Sequence, residues 1–248
     1  MADVNGFVAY PSIPPAIGST IEAALRELRE RSGLTGLSSW READIAGHFI
    51  RTEILQQIAE RDCLVADVTR LNFNVTYEVG YAIGLKKRVL LVRNAAFHSS
   101  APAISEVGIF DTPGHLTYEN SSELATLMRQ APSANPIAIP AVALNSQLPI
   151  YLTESKFKTD AATRIVARLK KKARLGFRSF DPNEQPRLPG PDAIHNVAES
   201  FGVLVHLLPA VAADHDVHNL RASFIARLAA NSAPEPALAV HVSPSAKT

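Results

Sequence analysis

Between residues 62 and 94 the chain reads DCLVADVTRLNFNVTYEVGYAIGLKKRVLLVRN, and the side chains there that could do chemistry are Asp67, Thr69, Asn72, Asn74 and Glu78. Asn74 precedes a helical run, and asparagine is a preferred N-cap because its side chain accepts a backbone N–H. Glu78 then falls about one turn into the helix, where the positive end of the helix dipole favours its ionised form. A carboxylate held ionised at such a place suits a nucleophile or an electrostatic stabiliser. Many helices carry an early acidic residue for stability alone, so the position by itself does not define a site. Two aromatics, Tyr10 and Trp40, follow the first two apolar segments. Such rings can sandwich a planar base, and they also serve as ordinary core or rim aromatics.

The elements that would position these residues are legible as short apolar runs between amphipathic stretches. Residues 63–66 and 89–92 are too brief for helices and rich in β-branched types, as expected of buried parallel strands. In such sheets ligands bind beyond the carboxyl ends of the strands, where Asp67 to Glu78 would lie. Ahead of them come a strand at 6–10, a proline-rich loop, and a helix with capping-box spacing at Ser19 and Glu22 that ends at Gly33 and Gly36. A second strand at 37–40, a polar loop at 41–44 and a helix at 45–61 follow. Residues 100–114 read as loop, 115–118 as a last strand and 121–128 as a closing helix. This alternation predicts a flavodoxin- or Rossmann-like doubly wound α/β sheet.

After a proline-rich linker at 131–148 the pattern restarts, with corresponding points about 140 to 145 residues apart, as a duplication would leave them. The reading is therefore a first domain at 1–130, a degenerate second α/β repeat at 149–230 and a flexible tail at 231–248. In the second copy Leu207 stands where Asp67 would be and Ser223 where Glu78 would be, so this copy is not expected to catalyse. Asp214, His215, Asp216 and His218 crowd the loop matching the candidate site; they are metal-ligand types, but at an unspecific spacing that reads first as a solvated polar loop.

Composition narrows the classes. At 248 residues, 46% hydrophobic and 20% charged, the chain suits a globular protein. A formal net charge of +1 argues against dedicated nucleic-acid binding. The single cysteine, Cys63, fits a reducing compartment. With no basic-then-apolar leader and no run of about 20 apolar residues, neither secretion nor membrane insertion is expected. A cytoplasmic location is.

The segment VADVTRLNFNVTYEVGYAIGLKKRVLLV resembles the nucleoside 2-deoxyribosyltransferases and the related 2′-deoxynucleoside 5′-phosphate N-hydrolases, whose strand ends in an acidic residue and leads to a Tyr-Glu-Leu-Gly or Met-Glu-Leu-Gly turn. Here the turn is Tyr77-Glu78-Val79-Gly80. The stretch also resembles an Asp-x-Thr-x-x-Asn-x-Asn-Val variant in bacterial proteins, some of them described as TIR-related. The resemblance implies N-glycosidic bond cleavage or transfer with Glu78 as nucleophile. A covalent glycosyl ester would be resolved by water or a second base, with neither cofactor nor metal. It further implies that Asn72 contacts sugar or phosphate, that Asp67 orients Glu78 or the sugar, and that Glu53 stands near a second acidic position; Asp67 reads equally as an acid that organises its loop, and Glu53 as a solvated helix position. It implies a nucleoside, nucleotide or NAD substrate and a homo-oligomer or partner protein. Pro14 and Pro15 replace the phosphate-binding glycine run that the phosphohydrolases tend to have. The alternatives are an NAD-cleaving, TIR-related defence effector and a non-catalytic nucleotide-binding or interaction module.

Overall fold

The computed structural model describes residues 4–42, 50–97, 104–111, 114–231 and 237–242. The chain divides into two compact units, Met1–Ala101 with Pro113–Ala138, and Pro102–Thr112 with Ile139–Thr248. Both are α/β with all strands parallel. One break, after Ala138, falls inside the expected linker, while residues 102–112, expected in the first domain, group with the second unit.

In the first unit, β1 (Gly6–Ala9), β2 (Leu37–Ser39), β3 (Cys63–Asp67), β4 (Arg88–Asn94) and β5 (Leu116–Tyr118) form one sheet in the order β2-β1-β3-β4-β5. The register pairs Gly6 with both Leu37 and Cys63, and Cys63 with Arg88. Every residue of β1 and β3 is buried, which is why they read as continuous apolar runs rather than alternating ones. The helices are α1 (Pro15–Ser32), α2 (Ile50–Glu60), α3 (Phe73–Gly84) and α5 (Ser121–Met128). Helix α1 buries Ile17, Ile21, Ala24, Leu25 and Leu28 at helical spacing and packs on α5. Gly33, at φ 64°, closes α1 in the left-handed conformation that glycine adopts without penalty.

Three expectations need correction here, and a fourth lies outside the described residues. Helix α1 begins at Pro15, so Ser19 and Glu22 form no capping box; Ser19 Oγ donates to the Pro15 carbonyl and Glu22 serves the site described below. Proline at the first helical position, where no N–H is needed, supplies the start instead. Trp40 is not part of β2 but opens a single 3-10 turn, Trp40–Glu42. The expected start of α2 at 45 lies outside the described residues. Residues 104–107 form a short helix, α4 (Ile104–Val107), and belong to the second unit rather than to the first domain. Val107, Ile109 and Phe110 are buried there, which explains why a stretch that looked like loop is held.

The second unit has β6 (Ile150–Thr153), β7 (Phe177–Phe180), β8 (Gly202–Leu207) and β9 (Ala237–Val242) in the order β7-β6-β8-β9, with helices α6 (Asp160–Arg168), α7 (Gly190–Ala198) and α8 (His215–Ala229). Its first four strand positions thus repeat the 2-1-3-4 order of the first unit. Strand β9 corrects the flexible tail: Gly202 pairs with Ala237 and Leu207 with Val242. The small residues and prolines of that stretch concealed a strand that covers the open edge of β8. Residues 232–236 and 243–248 of the expected tail lie outside the described residues. Among the described residues no helix is long and apolar enough to cross a membrane.

Candidate functional site

The order β2-β1-β3-β4-β5 reverses direction between β1 and β3, and in open α/β sheets the crevice at the carboxyl ends beside such a switch point is where ligands bind. A cavity of about 420 Å³ lies there. Tyr10 and Ser12 reach it from the end of β1, Trp40 from the end of β2, Ile54 and Leu55 from α2, and Asn72, Phe73, Asn74, Tyr77 and Glu78 from the start of α3. Volumes of about 300 to 1,000 Å³ suit small-molecule ligands.

Glu78 is its most unusual member. The residue is 9% exposed and, among the described residues, has no hydrogen-bonding or ion-pairing partner. Burial alone pushes its carboxyl up to about 8. The expectation of a carboxylate held ionised by the helix dipole is therefore reversed. Helix α3 starts at Phe73, which leaves no acidic residue in its first turn. The dipole fades beyond that turn, while desolvation penalises the charged form directly.

The N-cap also moves by two residues. Asn72, not Asn74, caps α3, and its Oδ1 accepts from Val75 N at 2.8 Å. Asn72 still lines the cavity, but its acceptor oxygen is occupied, which leaves the amide NH₂ as the group it can offer a ligand. Asn74 has no capping duty and also lines the cavity.

Asp67 does not line the cavity. Fully buried at the end of β3, it accepts from the Tyr118 hydroxyl at 2.6 Å through Oδ2 and from Thr69 N at 3.0 Å through Oδ1. Burial raises its carboxyl and these hydrogen bonds oppose the rise. Thr69 Oγ1 in turn accepts from Asn94 N at 2.7 Å. Asp67 and Thr69 thus organise the strand ends, and neither lines the cavity. Glu53, half-buried on α2, accepts from Gln57 Nε2 at 2.9 Å and does not line it either; its neighbours Ile54 and Leu55 do.

Tyr10 and Trp40 are present but do not form two jaws. Their ring centroids are 5.9 Å apart with planes at 43°. A base held between two rings needs about 7 Å, twice a van der Waals contact. They make one wall instead. The Tyr10 hydroxyl donates to Glu22, which also accepts from Ser39 Oγ at 2.8 Å, so the ring is anchored from below. The missing aromatic surface comes from Phe73 and Tyr77, stacked at 6.2 Å and 18°. The signal for these two was in the sequence. The pairs 73/77 and 74/78 are each four apart, which sets both pairs side by side on one helix face.

In the second unit the register corrects the expected counterparts. Gly202 takes the place of Cys63 beside the central strand, so the fifth position, Asp67, corresponds to His206 rather than Leu207. Ser223 is buried and donates to the Leu220 carbonyl. The α8 residues that line the corresponding cavity are Val217, His218 and Arg221. The expected solvated loop is instead the start of α8, and its residues are separately engaged: Asp214, at the N-cap position, accepts from Lys156 N, His215 lies beside Asp216, and buried His218 meets the His206 carbonyl.

No protein-family model matches the chain, and no curated protein matches it. Fold and cavity together define a Rossmann-like α/β protein with a small-molecule-sized cavity at the switch point of its first sheet.

Proposed function

We propose that the first unit breaks or transfers the N-glycosidic bond of a nucleoside, with Glu78 as the nucleophile. The observation that carries this reading is a buried carboxyl, without a hydrogen-bonding or ion-pairing partner among the described residues, that lines a nucleoside-sized cavity walled by aromatic rings.

The chemistry follows from its surroundings. Ionised Glu78 attacks the anomeric carbon as the carbon–nitrogen bond breaks. The bonding pair leaves with the base, which takes a proton from water, and the sugar is held as an ester of Glu78. Water or another base then displaces the carboxylate. A site that disfavours an isolated carboxylate favours its conversion to a neutral ester, and it strengthens attraction to the positive charge developing on the sugar. Phe73, Tyr77, Tyr10 and Trp40 offer faces for the base, and Asn72 and Asn74 offer amides for the sugar hydroxyls. No lysine or arginine is among the described residues that line the cavity, which favours an unphosphorylated nucleoside over its 5′-phosphate or NAD.

A second reading has one observation in its favour. A carboxyl protonated at neutral pH can donate a hydrogen bond to a base and hold it without reaction. One experiment separates the two. Protein and its Glu78→Gln variant are incubated with ribo- and deoxynucleosides, their 5′-phosphates and NAD, and free base is followed by chromatography. Release from nucleosides that disappears in the variant supports catalysis. Preferred release from phosphates or NAD overturns the substrate assignment. Tight binding without release establishes the binding module instead.

A further inference from the structure

The second unit holds a cavity of its own, of about 710 Å³, at the corresponding end of its sheet. Lys156 and Phe157 reach it from beyond β6, Arg187 from beyond β7, and Asp214, His218 and Arg221 from the start of α8. We infer that this cavity binds a small molecule through a phosphate monoester, with Arg221, Lys156 and the N-terminus of α8 as its cradle.

Arg221 is the centre of the argument. It is 4% exposed, and its guanidinium is hydrogen-bonded by backbone carbonyls, with the Asp214 and Glu106 carboxylates acting on it at longer range. Nε donates to the Val107 carbonyl at 3.0 Å, and Nη2 donates to the carbonyls of Glu106 at 2.5 Å and Pro186 at 2.6 Å. The ring of Phe180 lies 5.0 Å beneath. Gly108, at φ 85°, lets this arm approach: a Cβ there would stand 2.7 Å from Leu188 N. Those three bonds use Nε and one terminal nitrogen, so Nη1, with its two N–H groups, has no acceptor among the described residues. A buried cation that backbone carbonyls fix through Nε and Nη2 and that lines a cavity is arranged to meet an anion.

The helix end supplies an independent observation. Asn72 closes the N-terminus of α3 with its side chain, whereas Asp214 makes no such cap on α8. Its Oδ2 instead accepts from Lys156 N at 2.7 Å. The first-turn N–H groups of a 15-residue helix are thereby left without a side-chain cap at the edge of the cavity, where the dipole favours an anion. Three lining cations, Lys156, Arg187 and Arg221, outnumber the two lining carboxylates, Glu106 and Asp214, by one, and burial keeps His218 below its usual range and so uncharged. Arg187 approaches Asp111 only at 3.8 Å. Phe157, 55% exposed, offers an apolar face for the rest of the ligand.

The test uses the full chain and calorimetric titration with inorganic phosphate, AMP and adenosine. Phosphate and AMP are expected to bind, with AMP the tighter. Binding should weaken at least tenfold in the Lys156→Ala/Arg187→Ala double variant, whose side chains are at the surface, and should weaken in Arg221→Lys while the circular dichroism spectrum is kept. The proposal is overturned by failure of both phosphates to bind, or by binding that the double variant does not alter.

Discussion

In the first unit the helix that follows the central strand begins under an asparagine cap and turns a carboxyl into the cavity. In the second the corresponding helix begins without a side-chain cap and turns a guanidinium into it. Both groups are buried, and burial works against the charge of each. The difference lies in what accompanies them. Arg221 receives three carbonyl oxygens and remains a cation, although burial lowers it to about 10. Glu78 has no hydrogen-bonding or ion-pairing partner among the described residues and is held neutral to about 8. A buried ion with fixed partners is a recognition element, whereas a buried acid without them is poised to change state when a ligand arrives.

The largest effect that tests this contrast is on reactivity. Glu78→Gln should lower nucleoside cleavage by on the order of 10³-fold or more, while leaving nucleoside affinity within a few fold by calorimetry. Next, kcat/KM of the wild-type protein should climb about tenfold per pH unit below about 8 and level off above it, because the nucleophile is the ionised form. A profile that falls instead would make Glu78 a proton donor.

Stability should show the same group from the other side. An unfolded-chain glutamate ionises near 4.5 and the folded one near 8, so unfolding releases a proton between these values. Stability contributed by the neutral form is full below about pH 4.5 and declines as pH rises to about 8. Glu78→Gln should remove that decline and exceed the wild type by about 1 to 3 kcal/mol at pH 8 in urea unfolding. Tyr118→Phe, which leaves Asp67 Oδ2 buried without its donor, should cost about 1 to 3 kcal/mol by the same measurement. The smallest effect concerns a cap. Asn72→Ala, which removes the side-chain cap of α3, should cost about 1 kcal/mol by the same measurement.

Much of the architecture was legible in the chain because it rests on local regularities. The runs at 63–66 and 89–92, the spacing of Ile17, Ile21, Leu25 and Leu28, and the recurrence of the pattern after the prolines all follow from periods set by backbone geometry. Strand β9 and helix α4 were not legible, since each is held by a distant partner: β9 by the edge of β8, and α4 by the burial of Val107 and Phe110. Of the residues singled out for chemistry, Tyr10, Trp40, Asn72, Asn74 and Glu78 meet at one cavity. Asp67 and Glu53 do not, because a polar residue at a strand end or on a helix has local partners available, and sequence spacing does not show whether it uses them.

What the sequence by itself determined was the alternation of strand and helix, the doubling of that pattern, and the delivery of Glu78 to the first turns of the helix after the third strand. What only the tertiary structure decided was the state of that residue. A helix dipole and a neighbouring cap are local and argue for a charge, but desolvation depends on every element packed around the side chain. In this fold they surround it without offering a single partner among the described residues, and the carboxyl that read as an ion is held as an acid.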